Sequence, residues 1–420
     1  MADVGRVGGV QHVLVVGAGV VGLSTAWFLQ EHGVRVTVVD RDGVCSGASW
    51  GNAGWLSPGL AIPLNEPGVL RYGLRSLLDR DAPLSVPLSP SPDLWLFLAR
   101  FAAHCRWDSW ERAVRANLAL NTGALDAFDT LAKGGVETTE ASGPITALFR
   151  SPRSAVALLR ELDRIAASGL DVDHAALTGA AVREVLPHAS GAVGAAVRLD
   201  GQRHVDPGTL VHNLAASVRE RGGRVQRTGF EAVGVGREDG AVVTVSGDGE
   251  RIRSDAVAVC TGAWFDRLAA QHGVRARVRA GRGYSFTVPT DEPVPGPVYL
   301  PEARVACTPY QGALRVAGTM EFRGPDDALD PRRVEAIERS ASPYLKGVRW
   351  QERTDTWVGP RPVTSDGVPL VGATRTPGVY VAGGHGMWGL THGPVTGGLL
   401  AEQIATGVRP RALEALDPLR

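Results

Sequence analysis

Lysine is nearly absent from this chain. Among 420 residues with 44 Lys and Arg side chains, only Lys133 and Lys346 are lysines, an imbalance that codon usage in a GC-rich genome accounts for without chemistry. Net charge is absent too. The 44 Asp and Glu match the basic residues, so nothing global draws the chain to nucleic acid or anionic lipid. Cysteine is scarce: Cys45, Cys105, Cys260 and Cys307 form no CxxC pair, and no Cys/His cluster has zinc-ligand spacing. A disulfide framework would be out of character for a chain so large and so poor in cysteine. No apolar run reaches the ~18 residues of a spanning helix. Met1 to His12 lacks the basic start and continuous apolar stretch of a signal peptide. These absences predict a soluble, cytoplasmic protein with free thiols, no metal site and no nucleic-acid partner. Peripheral contact with the inner face of a membrane stays open.

What remains is apolar and rich in glycine. Hydrophobic residues make up 44%, charged residues 21%, and glycines number 53. That is enough apolar surface for a sizeable core and too much for a disordered chain. The glycines follow no three-residue period, which excludes collagen. At ~150 residues per domain, the length suggests two or three domains. A short apolar run at residues 12–17, a helical stretch from about 20 to 32 closed by Gly33, and a β-branched run at 34–40 predict a β-α-β unit. Residues 41–65 read as a loop, and a mostly helical pattern covers 67–186, broken by proline-rich residues 83–92. A helix is expected over 206–223, then strands at 224–228, 232–236, 241–246 and 256–260. A second β-rich region covers 278–322, followed by a helix over 331–340, a strand at 379–382 and a last helix over 394–406. Nucleotide-binding elements therefore stand at the start, middle and end, with different material between them. Two interleaved domains fit that order, and no internal repeat is present.

The sharpest motif is Gly17-x-Gly19-x-x-Gly22, followed by Ala26, Leu29 and Asp40. Gly17 permits the tight strand-to-helix turn, Gly19 lets backbone approach a pyrophosphate, and Gly22 with Ala26 admits close helix–sheet packing. The helix start at Val20 and Val21 offers unpaired N–H groups and partial positive charge to phosphates. Asp40 is placed to accept hydrogen bonds from a ribose diol and disfavours a 2′-phosphate, although Arg41 beside it softens that argument. FAD, NAD and NADP share this fingerprint. Here the chain leaves for a helical region after one β-α-β unit, which favours FAD. Ser46-Gly47-Ala48-Ser49 and Asn52-Ala53-Gly54 read either as a solvated loop or as bare backbone against a flat ring system. Gly383-Gly384-His385-Gly386, ahead of a helix opening near Gly393-Pro394, reads either as a capping loop or as close approach to a planar ligand. In the second case the helix N-terminus would stabilise negative charge on a reduced flavin.

Residues 13–40, the blocks 49–59 (SWGNAGWLSPG) and 359–367 (GPRPVTSDG), and Gly384-His385-Gly386-Met387 together resemble the FAD-dependent D-amino-acid dehydrogenase group. That group belongs to the glycine oxidase and D-amino-acid oxidase superfamily. His204-Val205-Asp206-Pro207 and Thr261-Gly262-Ala263-Trp264 extend the likeness over nearly the whole chain. The resemblance implies an α/β fold: a Rossmann-like FAD-binding domain of glutathione-reductase type, interleaved with an α+β substrate domain built on an antiparallel sheet. The first would comprise residues 10–60, 195–275 and 355–412, and the second 61–194 and 276–354. Noncovalent FAD would be held by Gly17, Gly19, Val20, Val21, Gly22, Asp40 and Arg41, and by Ser46, Gly47, Ala48, Ser49, Asn52, Ala53 and Gly54. Thr261, Gly262, Trp264, Gly384, His385, Gly386, Met387, Trp388 and Gly389 would complete that set. The implied reaction is oxidative deamination of an amino acid, above all a D-amino acid. Hydride passes from Cα–H to flavin N5, and water hydrolyses the imine to a 2-oxo acid and ammonia. Electrons then go to O2, a quinone or another carrier.

Arg361 matches an arginine that related oxidases use for the substrate carboxylate, a task its planar fork suits; a purely structural arginine is the alternative. Glycine oxidase also carries a Pro-Arg pair before a hairpin. This chain reads Thr308-Pro309-Tyr310-Gln311-Gly312 there, leaving Tyr310 or Tyr284 as replacements and a secondary, N-alkylated or cyclic amine as an open alternative substrate. The ammonium proton would leave through solvent or a histidine, with His385 the candidate. Sarcosine oxidases hold flavin through a cysteine where Ala313 stands here; Cys307 lies on the preceding strand, so no covalent link is expected. Their lysine after the Gly-His-Gly segment is replaced by Trp388. That replacement favours a dehydrogenase over an oxidase, or reflects simple packing. His392 stands where an aliphatic residue is expected, and the sequence supplies no reason. From other classes, a non-catalytic FAD electron-transfer subunit and NAD-dependent chemistry remain, though residues 359–367 argue against a mere carrier.

Overall fold

The computed structural model describes residues 9–69, 84–85, 91–228, 232–238, 241–246, 249 and 251–420. Most of the proline-rich stretch 83–92, part of the helical pattern over 67–186, and most of the segment Met1 to His12 lie outside them. β1 (His12–Val16), α1 (Val20–Glu31) and β2 (Arg35–Asp40) form the expected unit. Along β1 the side chains alternate. Val13 and Val15 join the core under α1, while Leu14 and Val16 join the opposite cluster with Phe265. That is the period of two of a strand covered on both faces, and it explains why the run reads as continuously apolar.

β1 and β2 lie inside a six-stranded sheet, in the order Arg224–Arg227, β2, β1, Ala256–Val259, Val379–Gly383, Leu370–Ala373. Every neighbouring pair is parallel except the last. The C-terminal helix runs from Gly389 to Thr406, starting more than a turn before Pro394, the expected start. Pro394 there forgoes one hydrogen bond, to the carbonyl of Leu390, near enough to the helix start for the helix to continue. The helix reaches α1 closely because glycine allows it: a Cβ at Gly397 would stand 2.6 Å from the Thr25 nitrogen.

Besides two three-stranded sheets, a nine-stranded sheet runs in the order Thr354–Thr364, Val278–Val288, Ala313–Phe322, Val305–Tyr310, Val298–Leu300, Ile145–Phe149, Ala195–Leu199, His174–Thr178, with Leu84–Ser85 beside Ala313–Phe322. All pairs are antiparallel except Val298–Leu300 with Ile145–Phe149 and Leu84–Ser85 with its neighbour. Two expectations are corrected here. Ile145–Phe149 and His174–Thr178 are strands inside the stretch expected to be helical, the first fully buried and the second, half-exposed, held by pairing with Ala195–Leu199. Helices Pro92–His104, Trp107–Lys133 and Pro152–Ala167 do follow that pattern. Ala195–Leu199 and Thr354–Thr364, expected with the nucleotide-binding part, instead pair with Ile145–Phe149 and Val278–Val288.

Among the described residues, no helix is long and apolar enough to cross a membrane, and no His/Cys/Asp/Glu group could hold a metal.

Candidate active site

A cavity of about 460 Å³ lies at the carboxyl ends of β1 and β2, where open α/β sheets bind ligands. Its volume is that of a small-molecule site. Gly17, Gly19, Val20, Val21, Asp40 and Arg41 line it, with Ser46, Gly47, Ala48, Ser49 and Asn52 from the following loop. Thr261, Gly262 and Trp264 line another side, and His385, Gly386, Met387 and Gly389 a third. Two helix N-termini, those of α1 and of Gly389–Thr406, open onto it, and neither carries a side-chain cap. Each presents the positive end of its dipole, and the Val20 N–H of α1 donates to the Ser49 hydroxyl at 3.2 Å. Gly17 has φ +114°, and a Cβ there would stand 2.4 Å from the Cys260 carbonyl oxygen. Gly22 abuts the Gly17 carbonyl, in the packing role its place in the motif assigns, and does not line the cavity.

Asp40 is more occupied than the motif suggests. Its Oδ2 accepts from the Ala18 N–H at 2.8 Å, and its Oδ1 from the Asp42 and Gly43 N–H groups at 2.9 and 3.0 Å. The lone pairs of Oδ1 are used, leaving one direction on Oδ2 for a ligand hydroxyl. The hydroxyls of Thr244 and Thr261 are buried in the cavity wall with no hydrogen-bond partner, as expected where a polar ligand completes the site. Above, the Arg41 guanidinium lies 4.9 Å from the Trp264 ring, and both hold Asp326, at 3.4 and 3.1 Å. Uncapped helix ends, one acid and orphaned hydroxyls suit a flavin dinucleotide.

Gly54 and Gly384, expected against the cofactor, line no part of this cavity. A Cβ on Gly54 (φ +81°) would meet the Val205 oxygen at 2.3 Å, and one on Gly384 (φ +78°) the Thr364 Cγ2 at 2.5 Å. Both are glycine because protein packs there. Ala53 and Trp388 line an adjoining cavity of about 210 Å³ instead, where the Trp388 indole donates to the Ile62 carbonyl at 2.7 Å.

The loop between the cavities follows β2 yet is fastened to the other sheet. Ser285 donates to the Gly51 carbonyl at 2.8 Å, Arg315 to that of Trp50 at 3.2 Å, and Thr308 to that of Ala53 at 2.6 Å. The Trp357 ring fits between Gly51 and Gly359, where added Cβ atoms would overlap it at 2.1 and 1.9 Å. The two sequence blocks 49–59 and 359–367 thus meet through one indole.

Arg361 lines both cavities, from the strand Thr354–Thr364. Its guanidinium occupies the space a side chain at Gly283 would fill, 2.0 Å from such a Cβ. Nη1 donates to the Thr319 carbonyl at 2.7 Å, and no carboxylate of the described residues acts on it. Burial without a counter-ion pushes its pKa down to about 10.

The other three candidate catalytic side chains are corrected. Tyr284 is fully buried in the opposite core, its hydroxyl donating to Glu321 at 2.7 Å; burial first, then that carboxylate, push its pKa up to about 12. Tyr310 stacks on the Arg315 guanidinium at 3.9 Å and lines neither cavity. His385 does line the larger cavity, but its Nε2 bonds the Thr396 hydroxyl at 3.0 Å, and burial pushes its pKa down to about 4. A ring so held is a poor acceptor for a substrate proton. His392 now has an explanation. Asn121 donates its amide to the Ala61 carbonyl and so offers Oδ1 to His392 Nε2 at 2.6 Å, tying the last helix to Trp107–Lys133. Sequence reasoning missed Gly283 and Trp357. A glycine inside a strand was the available signal for the first; nothing local marks the second. It also missed Glu66, Glu161, Tyr299 and Arg304, which line the smaller cavity from segments far apart.

The family model described as FAD dependent oxidoreductase (DAO) matches residues 12–403. Among solved structures, glycine oxidase from Bacillus cereus is 22% identical, with 96% of this chain and 98% of that chain covered and a TM-score of 0.73. Glycine oxidase from Geobacillus kaustophilus is 20% identical over 98% and 99%, with a TM-score of 0.74. Iminodiacetate oxidase from Chelativorans sp. is 21% identical over 97% and 98%, with a TM-score of 0.67. At these identities the likeness to the solved structures is one of fold, while the family match spans nearly the whole chain: the protein belongs to the DAO family of FAD-dependent oxidoreductases.

Proposed function

We propose that the protein holds FAD noncovalently in the larger cavity and oxidises an amino acid, of D configuration, at its Cα–H. The observation that carries this reading is Arg361, a desolvated cation at the junction of the two cavities with no carboxylate of its own. A substrate carboxylate supplies the missing charge in the bidentate geometry guanidinium favours. FAD bound in the larger cavity supplies the hydride acceptor. The N-terminus of α1 would face the pyrophosphate and that of Gly389–Thr406 the flavin ring, and Asp40 would take one ribose hydroxyl through Oδ2. Trp55, Trp357 and Trp388 wall the substrate side. With His385 tied to Thr396, solvent is left to take the ammonium proton.

Noncovalent attachment is supported by the thiols. All four cysteines are buried; Cys260 alone lines the larger cavity, and burial holds its pKa up at about 12, far from a reactive thiolate. The D configuration rests on the sequence resemblance; the fold neighbours include glycine oxidases, an L-proline dehydrogenase and L-amino acid deaminases. A secondary-amine substrate is the second reading, favoured because Tyr310 lies off the site and leaves one arginine at the cavity junction. The test is an anaerobic titration of the purified protein with D- and L-amino acids and N-alkylated amines, followed by loss of flavin colour. Bleaching by D-amino acids is expected. A colourless protein defeats the cofactor claim, and a yellow protein that no amine bleaches defeats the catalytic one.

A further inference from the structure

The smaller cavity contains ionisable groups for which the reaction above has no use. Glu161 projects into it from the helix Pro152–Ala167, among Leu64, Val69 and Leu158. Arg304 faces it from a residue with φ +54° and pairs with Glu66 at 3.1 Å. That pair is self-compensating. Glu161 is half-buried and has no hydrogen bond and no ion pair among the described residues. Arg361 forms part of the same wall, so one cavity carries an unmatched cation and an unmatched acid.

Resting on the amino-acid reading of Arg361, we propose that the substrate's side chain ends in an ammonium or guanidinium, received by Glu161 while Arg361 takes the α-carboxylate. The charges decide the class. A distal carboxylate would meet Glu161, with the nearby Arg304 already engaged by Glu66. A purely apolar side chain would leave Glu161 half-buried without a partner, which costs free energy that a cation returns. The aliphatic lining packs the methylene stem of a basic side chain while its charged tip reaches Glu161. The groups acting on Glu161 are Glu66, Arg304 and Tyr299. Burial first, then Glu66, raise its pKa, partly offset by Arg304, to about 7. A bound cation draws the proton off, so cation preference increases with pH through that range.

The test uses the flavin-loaded enzyme under anaerobic conditions, with both enantiomers of lysine, ornithine and arginine against norleucine and glutamate. The cationic substrates should exceed norleucine in kcat/KM by roughly 10- to 100-fold, the range of a hydrogen bond to a charged group. Glu161→Gln should bring that ratio to within a few-fold, whereas a merely structural role would lower both rates together. If that variant does not fold, the wild-type ratio read from pH 6 to 8 decides instead, with a rise expected. Norleucine or glutamate matching the cations, or a ratio flat with pH, overturns the inference and leaves the amino-acid reading intact. Bleaching by none of them overturns both.

Discussion

The two adjoining cavities are made of different material. The larger one gathers two helix N-termini, a set of glycines and the acids Asp40 and Asp42, from the β1–α1 turn, the segment after Cys260 and the start of the last helix. The smaller is walled mostly by side chains, among them Trp55, Glu66, Glu161, Tyr299 and Trp357, at positions that run from Ala48 to Trp388. Backbone geometry at fixed spacing tolerates little change, so it serves a ligand that does not vary. Side chains on separate elements can be exchanged one at a time, so they serve discrimination.

The sharpest way to break this contrast is Gly17→Ala. The new Cβ would stand 2.4 Å from the Cys260 oxygen at φ +114°. Backbone strain of ~1–3 kcal/mol adds to that overlap, so flavin content, read as visible absorbance per protein, should collapse. Full retention would show that backbone does not govern the larger cavity. Next, Arg361→Met should leave flavin content intact and weaken apparent affinity for carboxylate substrates by ~2–5 kcal/mol, read in the bleaching titration. Gly283→Ala should act in the same direction through displacement of the guanidinium, by about tenfold. If it leaves affinity unchanged, the room at Gly283 does not position Arg361.

The histidines behind the larger cavity give a smaller, graded effect. His385 and His392 have folded pKa values near 4 and 3 against 6.5 in the open chain, by burial. Below pH 6.5 the unfolded chain takes up protons that the folded chain refuses. Stability is therefore complete above that pH and falls as pH drops toward 4, by up to ~1.4 kcal/mol per pH unit for each ring. Melting temperature against pH should show this slope, and His392→Gln should reduce it by one proton's share. An unchanged slope would mean the ring is not excluded from solvent. Smallest of all, Tyr310→Phe should alter kcat/KM by no more than ~0.5 kcal/mol, since its ring lies on Arg315 away from both cavities. A larger loss would return Tyr310 to the site.

What was legible in the sequence follows the same division. The turn from Gly17 to Asp40 announces itself because each residue answers a local backbone need. Arg361 was legible through the block around it, yet its room depends on Gly283 across a strand pairing no spacing reveals. Tyr284 failed by parity. It follows Gly283 on one strand, and with a period of two its side chain turns to the opposite core, onto Glu321. His174–Thr178 was hidden because alanine and leucine carry little strand signal, and Ile145–Phe149 because its partners lie elsewhere in the chain. Glu161 sits on an ordinary amphipathic helix, where an acid usually means a solvated face.

The loop bolted to the nine-stranded sheet by Ser285, Thr308 and Arg315, with Trp357 held between Gly51 and Gly359, sets the terms for recombining this enzyme with its relatives. A chimera cut after Gly54 would part residues 50–53 from the sheet that anchors them and misfit the wall common to cofactor and substrate. The transferable module is the nine-stranded sheet together with that loop, and a crossover belongs before Ser49 rather than after Gly54.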